Sequence, residues 1–258
     1  GEAVTASLHF SYVQARAQAR LAGLPREPDW QRLEATRSLA AFLEEARATA
    51  LKPWVAGLSG GSEAHDIERG IRAIFRAETE AVARWVPAGW RASVRWVQWL
   101  PQLLVIGQAL ARGRAPEWMG RDPFLSAFVG SGGELDRVAL QAAGLDPLVA
   151  AVAAGDDLIE AWLAGWYSHC PATRRRFRRN LERLAATLLD HQRRFLAAAP
   201  DRTWHLRREL DQRLRHLFHL YLLQPAALFV YLALVALGLE RLRAALVSRA
   251  LFAAEASP

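Results

Sequence analysis

Four side chains in the C-terminal third have the types and spacing of metal ligands. His205 and Glu209 lie four residues apart, and His216 and His219 lie three apart. On a helix either spacing stacks two ligands on one face, which is how a helical pair grips one ion. No His-Glu-x-x-His is present, and no third ligand accompanies them in the pattern. They read as helix-packing histidines, with an all-helical metal-binding protein as the alternative. Asp156 and Glu160, beside Asp157, form a carboxylate group of the kind used to exchange protons. The same spacing suits a solvated helix turn. Cys170 is the sole cysteine, so no internal disulfide forms, and its neighbour His169 does not make it a nucleophile by adjacency. Gly57-Leu58-Ser59-Gly60-Gly61-Ser62 lacks the Gly-Lys-Ser/Thr ending of a phosphate loop. Gly130-Ser131-Gly132-Gly133 follows no predicted strand and reads as a flexible turn. The expectation is a protein that is not an enzyme and has no catalytic, cofactor-binding or metal-binding residues.

Charge is more informative. The chain carries a net +7, yet thirteen arginines face only five acids between positions 174 and 215. The rest of the chain is therefore slightly acidic. The densest part is Arg174, Arg175, Arg176, Arg178 and Arg179, interrupted by Phe177. Such a cluster fits an acidic protein partner, an anionic membrane surface or nucleic acid. Nucleic acid is the least suited, because one aromatic interrupts the run and no binding module surrounds it.

These side chains must be positioned by helices. Alanine (49) and leucine (39) dominate the composition, and only five isoleucines occur, which disfavours a large sheet. Arginine outnumbers lysine 32 to one along the whole chain, a bias read first as codon usage. At 52% hydrophobic and 23% charged, the chain is too apolar for disorder and long enough to bury a core. Periodicity predicts helices over 12–24, 30–54 and a segment from Ile67 to Val86, the last capped by Ser62. A helix over 90–111 is expected to kink at Pro101 and to close at Gly113. Residues 114–133 read as loop with a short helix near 124–129. Helices follow over 134–143, 146–167, 171–199, 201–223 and 225–253. Trp85, Trp90, Trp96 and Trp99, with Trp162 and Trp166, read as core or interface aromatics. Residues 216–239 lack a formal charge, but the continuous apolar part is 226–239, which suits a buried core helix better than a membrane span. Residues 1–8 are short and mixed, so no secretory leader is expected.

Helix-proline-helix units recur at Pro87, Pro171 and Pro225, where a missing N–H is harmless in the first helical turn. One all-α domain over 1–258 is expected, with loose repeats at about 8–113, 134–199 and 201–253.

Several segments carry a resemblance. Tyr12-Val13-Gln14-Ala15-Arg16-Ala17-Gln18-Ala19-Arg20 resembles the Tyr-x-Asn-Ala-Arg start of the V/A-type ATPase central-stalk family, with Gln14 in place of Asn. That family is the C-type stalk component of archaeal and bacterial enzymes and the d-type component of eukaryotic ones. Leu39-Ala40-Ala41-Phe42-Leu43 through Gly57 resembles the family's second segment, and 67–113 its next helix pair. Pro225, then Tyr231-Leu232-Ala233-Leu234 and Glu240-Arg241-Leu242-Arg243, resembles its closing helix. The chain is shorter than usual members, and family acids are lost around Trp99, Leu100, Pro101 and Leu104, and at Leu234, Ala236 and Gly238.

The resemblance implies three related helix-pair units forming a funnel. It implies a non-catalytic socket between the central shaft and the membrane rotor ring, cytoplasmic and peripheral on the inner face of the membrane, transmitting torque for ion transport. The arginines at 174–176, 178 and 179 are then expected to contact an acidic partner or lipid headgroups. The rival readings are metal binding through His205–His219, nucleic-acid binding through 174–179, and a membrane anchor at 217–239.

Overall fold

An apolar segment as long as the one after Pro225 must be covered on every side, and the fold of its surroundings follows from that need. A computed structural model describes residues 2–255, and the side chains of residues 10–251. The fold is all-α, as the composition predicts. Among the described residues the only β pairing is one isolated antiparallel bridge, Val129 to Leu135.

The chain divides into two compact units. One combines Gly1–Arg91 with Ala172–Pro258, and the other is Ala92–Pro171. The division does not follow the expected repeat boundaries, since 134–199 runs across the join.

The first unit holds α1 (Glu2–Ala22), α2 (Glu27–Glu34), α3 (Leu39–Arg47), α4 (Lys52–Val55) and α5 (Ala64–Trp85). The single helix expected over 30–54 is thus three. Short polar side chains break it, because they offer the backbone local partners that compete with the helix. Thr36 Oγ1 donates to the Leu33 carbonyl and Thr49 Oγ1 to that of Ala46. Ser38 Oγ accepts from the Ala41 N–H and caps α3. Ser62 does not cap α5: its hydroxyl accepts from the Ser59 N–H, and Glu63 takes the N-cap position.

The second unit is irregular. After α6 (Arg91–Trp96), the expected kink at Pro101 is a full stretch of 3-10 helix, Val97–Gln102, before α7 (Leu103–Arg112). Gly113 ends α7 at φ 65°, a left-handed value that suits glycine. Then come α8 (Arg137–Ala142), α9 (Asp146–Ala154) and α10 (Leu158–His169). The helix expected over 146–167 is split at Gly155, whose φ of 74° ends α9, and Asp157 caps α10. Trp96 donates its indole N–H to the Trp162 carbonyl at 2.9 Å, and Trp99 packs against Phe124 and Phe128.

Back in the first unit, α11 (Arg175–Ala197) and α12 (Thr203–Leu220) lead to α13 (Pro225–Glu255). Helices α1, α3, α5, α11 and α12 all pack on α13. Residues Ala226 to Leu232 of α13 are buried without a break. Of the α5 stripe, Ile67, Ile71, Phe75 and Val82 are buried and Ile74 is half-buried, a fully buried side chain of this kind contributing about 1.5–3 kcal/mol when removed from water. Residues 225–251 are long and apolar enough to cross a membrane by composition, but two thirds of the apolar window is buried within the protein.

Polar side chains then fix which helix sits where. The buried Tyr231 hydroxyl donates to Glu78 of α5 at 2.6 Å, and Arg20 of α1 holds the other oxygen of that carboxylate at 3.0 Å. Burial, and then the bond to Glu78, push the tyrosine pKa well above its ordinary value. Arg243 bonds Glu240 and Glu68, which raises its own pKa. Arg249 donates to the carbonyls of Leu33 and Thr36, closing the end of α2, where a cation is favoured.

Gly165 offers a direct check of the second unit. A Cβ there would lie 2.5 Å from the Trp96 ring. Gly165→Ala is expected to destabilise the protein by about 1–3 kcal/mol, measured by urea unfolding.

Candidate docking surface

The arginine cluster occupies the start of α11. Arg174 is the N-cap residue and makes no side-chain cap, while Arg175, Arg176, Arg178 and Arg179 fill the first turns. All five are exposed, whereas Phe177 is half-buried. Among the described residues one acid answers them, Glu182, at 3.3 Å from Arg178, with both partners largely in water. Such a pair contributes little. Cations at a helix N-terminus also oppose the helix dipole. The cluster therefore works against the stability of its own helix.

The same helix is anchored just beyond the cluster to the break between α12 and α13. Asn180 is buried and donates its side-chain amide to the Gln224 side-chain carbonyl. Leu223 stands at φ 61°, left-handed and strained for a residue with a Cβ. Gln14 of α1 accepts the Leu223 N–H at 3.1 Å and holds it there. The Gln14 amide nitrogen has no partner among the described residues. Sequence reading singled out Gln14 only as a departure from a pattern and missed Asn180. The available signal was that Asn180 is the only asparagine and stands beside the apolar Leu181 on a helix.

A cavity of about 750 Å³ lies in the same unit, with Trp30, Trp54 and Leu234 among its apolar walls and Arg26, Arg208 and Arg241 among its basic ones. Arg241 organises it. The guanidinium lies 4.0 Å from the Trp204 ring centroid and 4.7 Å from that of Trp30. It also bonds Glu27 at 2.9 Å and Glu34 at 2.8 Å. Two aromatic faces and two carboxylates thus take up one planar fork, a task for which lysine is unsuited. Asp211, also in the cavity wall, is held by Arg215 at 2.7 Å.

The candidate metal ligands are dispersed. Glu209 gives both oxygens to Arg194 of α11, at 2.9 and 2.8 Å. His205, His216 and His219 are exposed. Among the described residues no group of three or more His, Cys, Asp or Glu side chains is placed to hold a metal ion. Asp157 spends one oxygen capping α10, accepting from Ile159 and Glu160 N–H, and Asp156 is exposed. Cys170 is half-buried at the end of α10.

Trp90, Trp96, Trp99, Trp162 and Trp166 are buried, as core aromatics should be. Trp85 is only half-buried and receives Arg16 and Arg20 over its ring. Compared with models of protein families, with curated proteins and with solved structures, the chain matches none.

Two measurements check this geometry. Arg241→Lys keeps the charge but loses the fork and the stacking, and is expected to cost about 2 kcal/mol in chemical unfolding. His191, on α11 beside Phe195, has its pKa lowered from 6.5 by burial and by Arg194 and Arg207. The unfolded chain then binds a proton that the folded chain refuses, so stability falls as pH drops through about 6.5. His191→Gln should flatten that dependence in melts recorded across the pH series.

Proposed function

We propose that this chain is a non-catalytic docking subunit, the socket that joins the central shaft to the membrane rotor ring of a V/A-type rotary ATPase. One observation carries the reading. The segments that resemble that family, far apart in sequence, are joined by side-chain hydrogen bonds. Gln14 from the opening segment accepts from Leu223 at the foot of the closing helix. Arg20 from the same segment and Tyr231 from the closing helix share Glu78 of α5. A likeness confined to helical composition gives no reason for its polar residues to converge.

The role is mechanical and fits what the side chains do. Tyr231, Arg241, Arg243 and Arg249 each tie α13 to another helix or to its own turn, so a load applied to α13 passes to α1, α2 and α5. Arg174, Arg175, Arg176, Arg178 and Arg179 are the docking face, set against an anionic partner on the inner side of the membrane. The protein is peripheral and cytoplasmic in this reading, and torque passes through it without chemistry.

The test is a pull-down of the tagged chain from gently solubilised native membranes, read by mass spectrometry. Recovery of rotor-ring and shaft subunits is expected. Recovery of neither sinks the rotary assignment. Charge reversal at Arg175, Arg176 and Arg179 should lower recovery by about tenfold, more strongly at low salt, as for a screened charged contact. Undiminished recovery removes those arginines from the interface.

A further inference from the structure

The arginine cluster has an apolar neighbour. The break between α12 and α13 exposes three leucines in four residues: Leu220 at 56%, Leu222 at 40% and Leu223 at 52%. Most large apolar side chains of this unit are buried, and these three stand out in water. Leu223 is also held in a left-handed conformation that a leucine enters at a cost. A glycine or asparagine would meet that backbone demand without placing an apolar side chain in solvent. The strain and the exposure therefore fall on the same residue.

Positive charge lies beside this knob. The Asn180 to Gln224 bond places the first turns of α11 beside it. Arg176 and Arg183 lie four before and three after Asn180, one helical turn to either side on the same face. Arg183 and Arg213 are close enough to Tyr221, the residue before Leu222, to oppose the rise that burial gives its pKa. Both are exposed, as are Arg175, Arg176 and Arg179. The acid nearby in sequence, Glu182, is taken by Arg178. The surface is thus an apolar tip flanked by Arg176, Arg183 and Arg213.

We infer that this surface docks on an anionic lipid bilayer, with Leu220, Leu222 and Leu223 entering the acyl boundary and Arg176, Arg183 and Arg213 binding headgroup phosphates. This rests on the reading of the 174–179 face as a docking face. It adds the occupant and the leucines. Charge alone suits any acidic partner, but exposed leucines beside arginines match the two layers a membrane presents in sequence, charged headgroups and then hydrocarbon. The buried Asn180 and Gln14 contacts hold the tip in place, so little ordering is left for the moment of binding.

The experiment is co-sedimentation of the full chain with vesicles. One set is phosphatidylcholine alone, and the other contains about one third phosphatidylglycerol. Binding to the anionic vesicles only, weakened by salt, is expected. The variant Leu220→Ser, Leu222→Ser, Leu223→Asn keeps a residue that tolerates the left-handed backbone. It should bind at least about tenfold more weakly, with an unchanged circular-dichroism melt. Leu222→Glu alone is the second variant should the triple variant not fold, and the same loss is expected. Leucine variants that bind like the parent chain overturn the insertion. A parent chain that ignores anionic vesicles, while its pull-down still depends on the arginines, makes the face a protein-docking surface and overturns the lipid proposal alone. If neither vesicles nor partners are bound, both readings fall.

Discussion

A helix of 31 residues whose first half is apolar on all sides cannot stand in water, and the larger unit is built around satisfying α13. Five helices from both ends of the sequence are brought against it. Hydrophobic burial is non-directional, so it explains why they gather and not how they are ordered. Order comes from polar groups carried on α13 at intervals. Tyr231 selects α5 and, through Glu78, α1; Arg241 selects α2; Arg249 closes the end of α2. Each of these groups would be costly to leave unpaired in a partly buried position, so a misplaced helix is penalised more than a correct one is rewarded.

The arginines show two opposite uses of one side chain. On α13 they are multiply bonded, stacked on rings or directed at carbonyls. At the start of α11 they are exposed, and among the described residues one exposed acid answers them. Arginine is spread along the whole chain, but composition does not decide which arginines find partners. Five exposed ones, Arg174, Arg175, Arg176, Arg178 and Arg179, sit together where the helix dipole disfavours them. That unfavourable placement distinguishes this face from the ordinary charged surface of a helical protein.

Much of the fold was legible in the sequence. The stripe Ile67, Ile71, Ile74, Phe75 and Val82 (buried except at Ile74, which is half-buried), the closure at Gly113, and the helices near 171–199, 201–223 and 225–253 follow from periodicity, glycine and proline. Breaks set by hydroxyls were not legible. Thr36, Ser38 and Thr49 are compatible with a helix by propensity, and only their chosen hydrogen bonds divide 30–54. The arginine cluster was visible as charge density. Its apolar neighbour was not, because Leu222 and Leu223 look like the entrance to a buried helix until the backbone is seen to turn left-handed. Asn180 and Gln14 were hidden for another reason: their partners are 44 and 209 residues away.

That last separation has a consequence for how the chain is made. Helices α1 to α5 leave the ribosome before α13, with the faces that will cover it still uncovered. The residues 92–171 must follow, and they can close among themselves, since their contacts are local to that stretch. Only when α13 emerges does the first part find its core. Until then helices α1 to α5 are an apolar surface waiting for a partner encoded much later in the same message, a period when chaperones have the most to do.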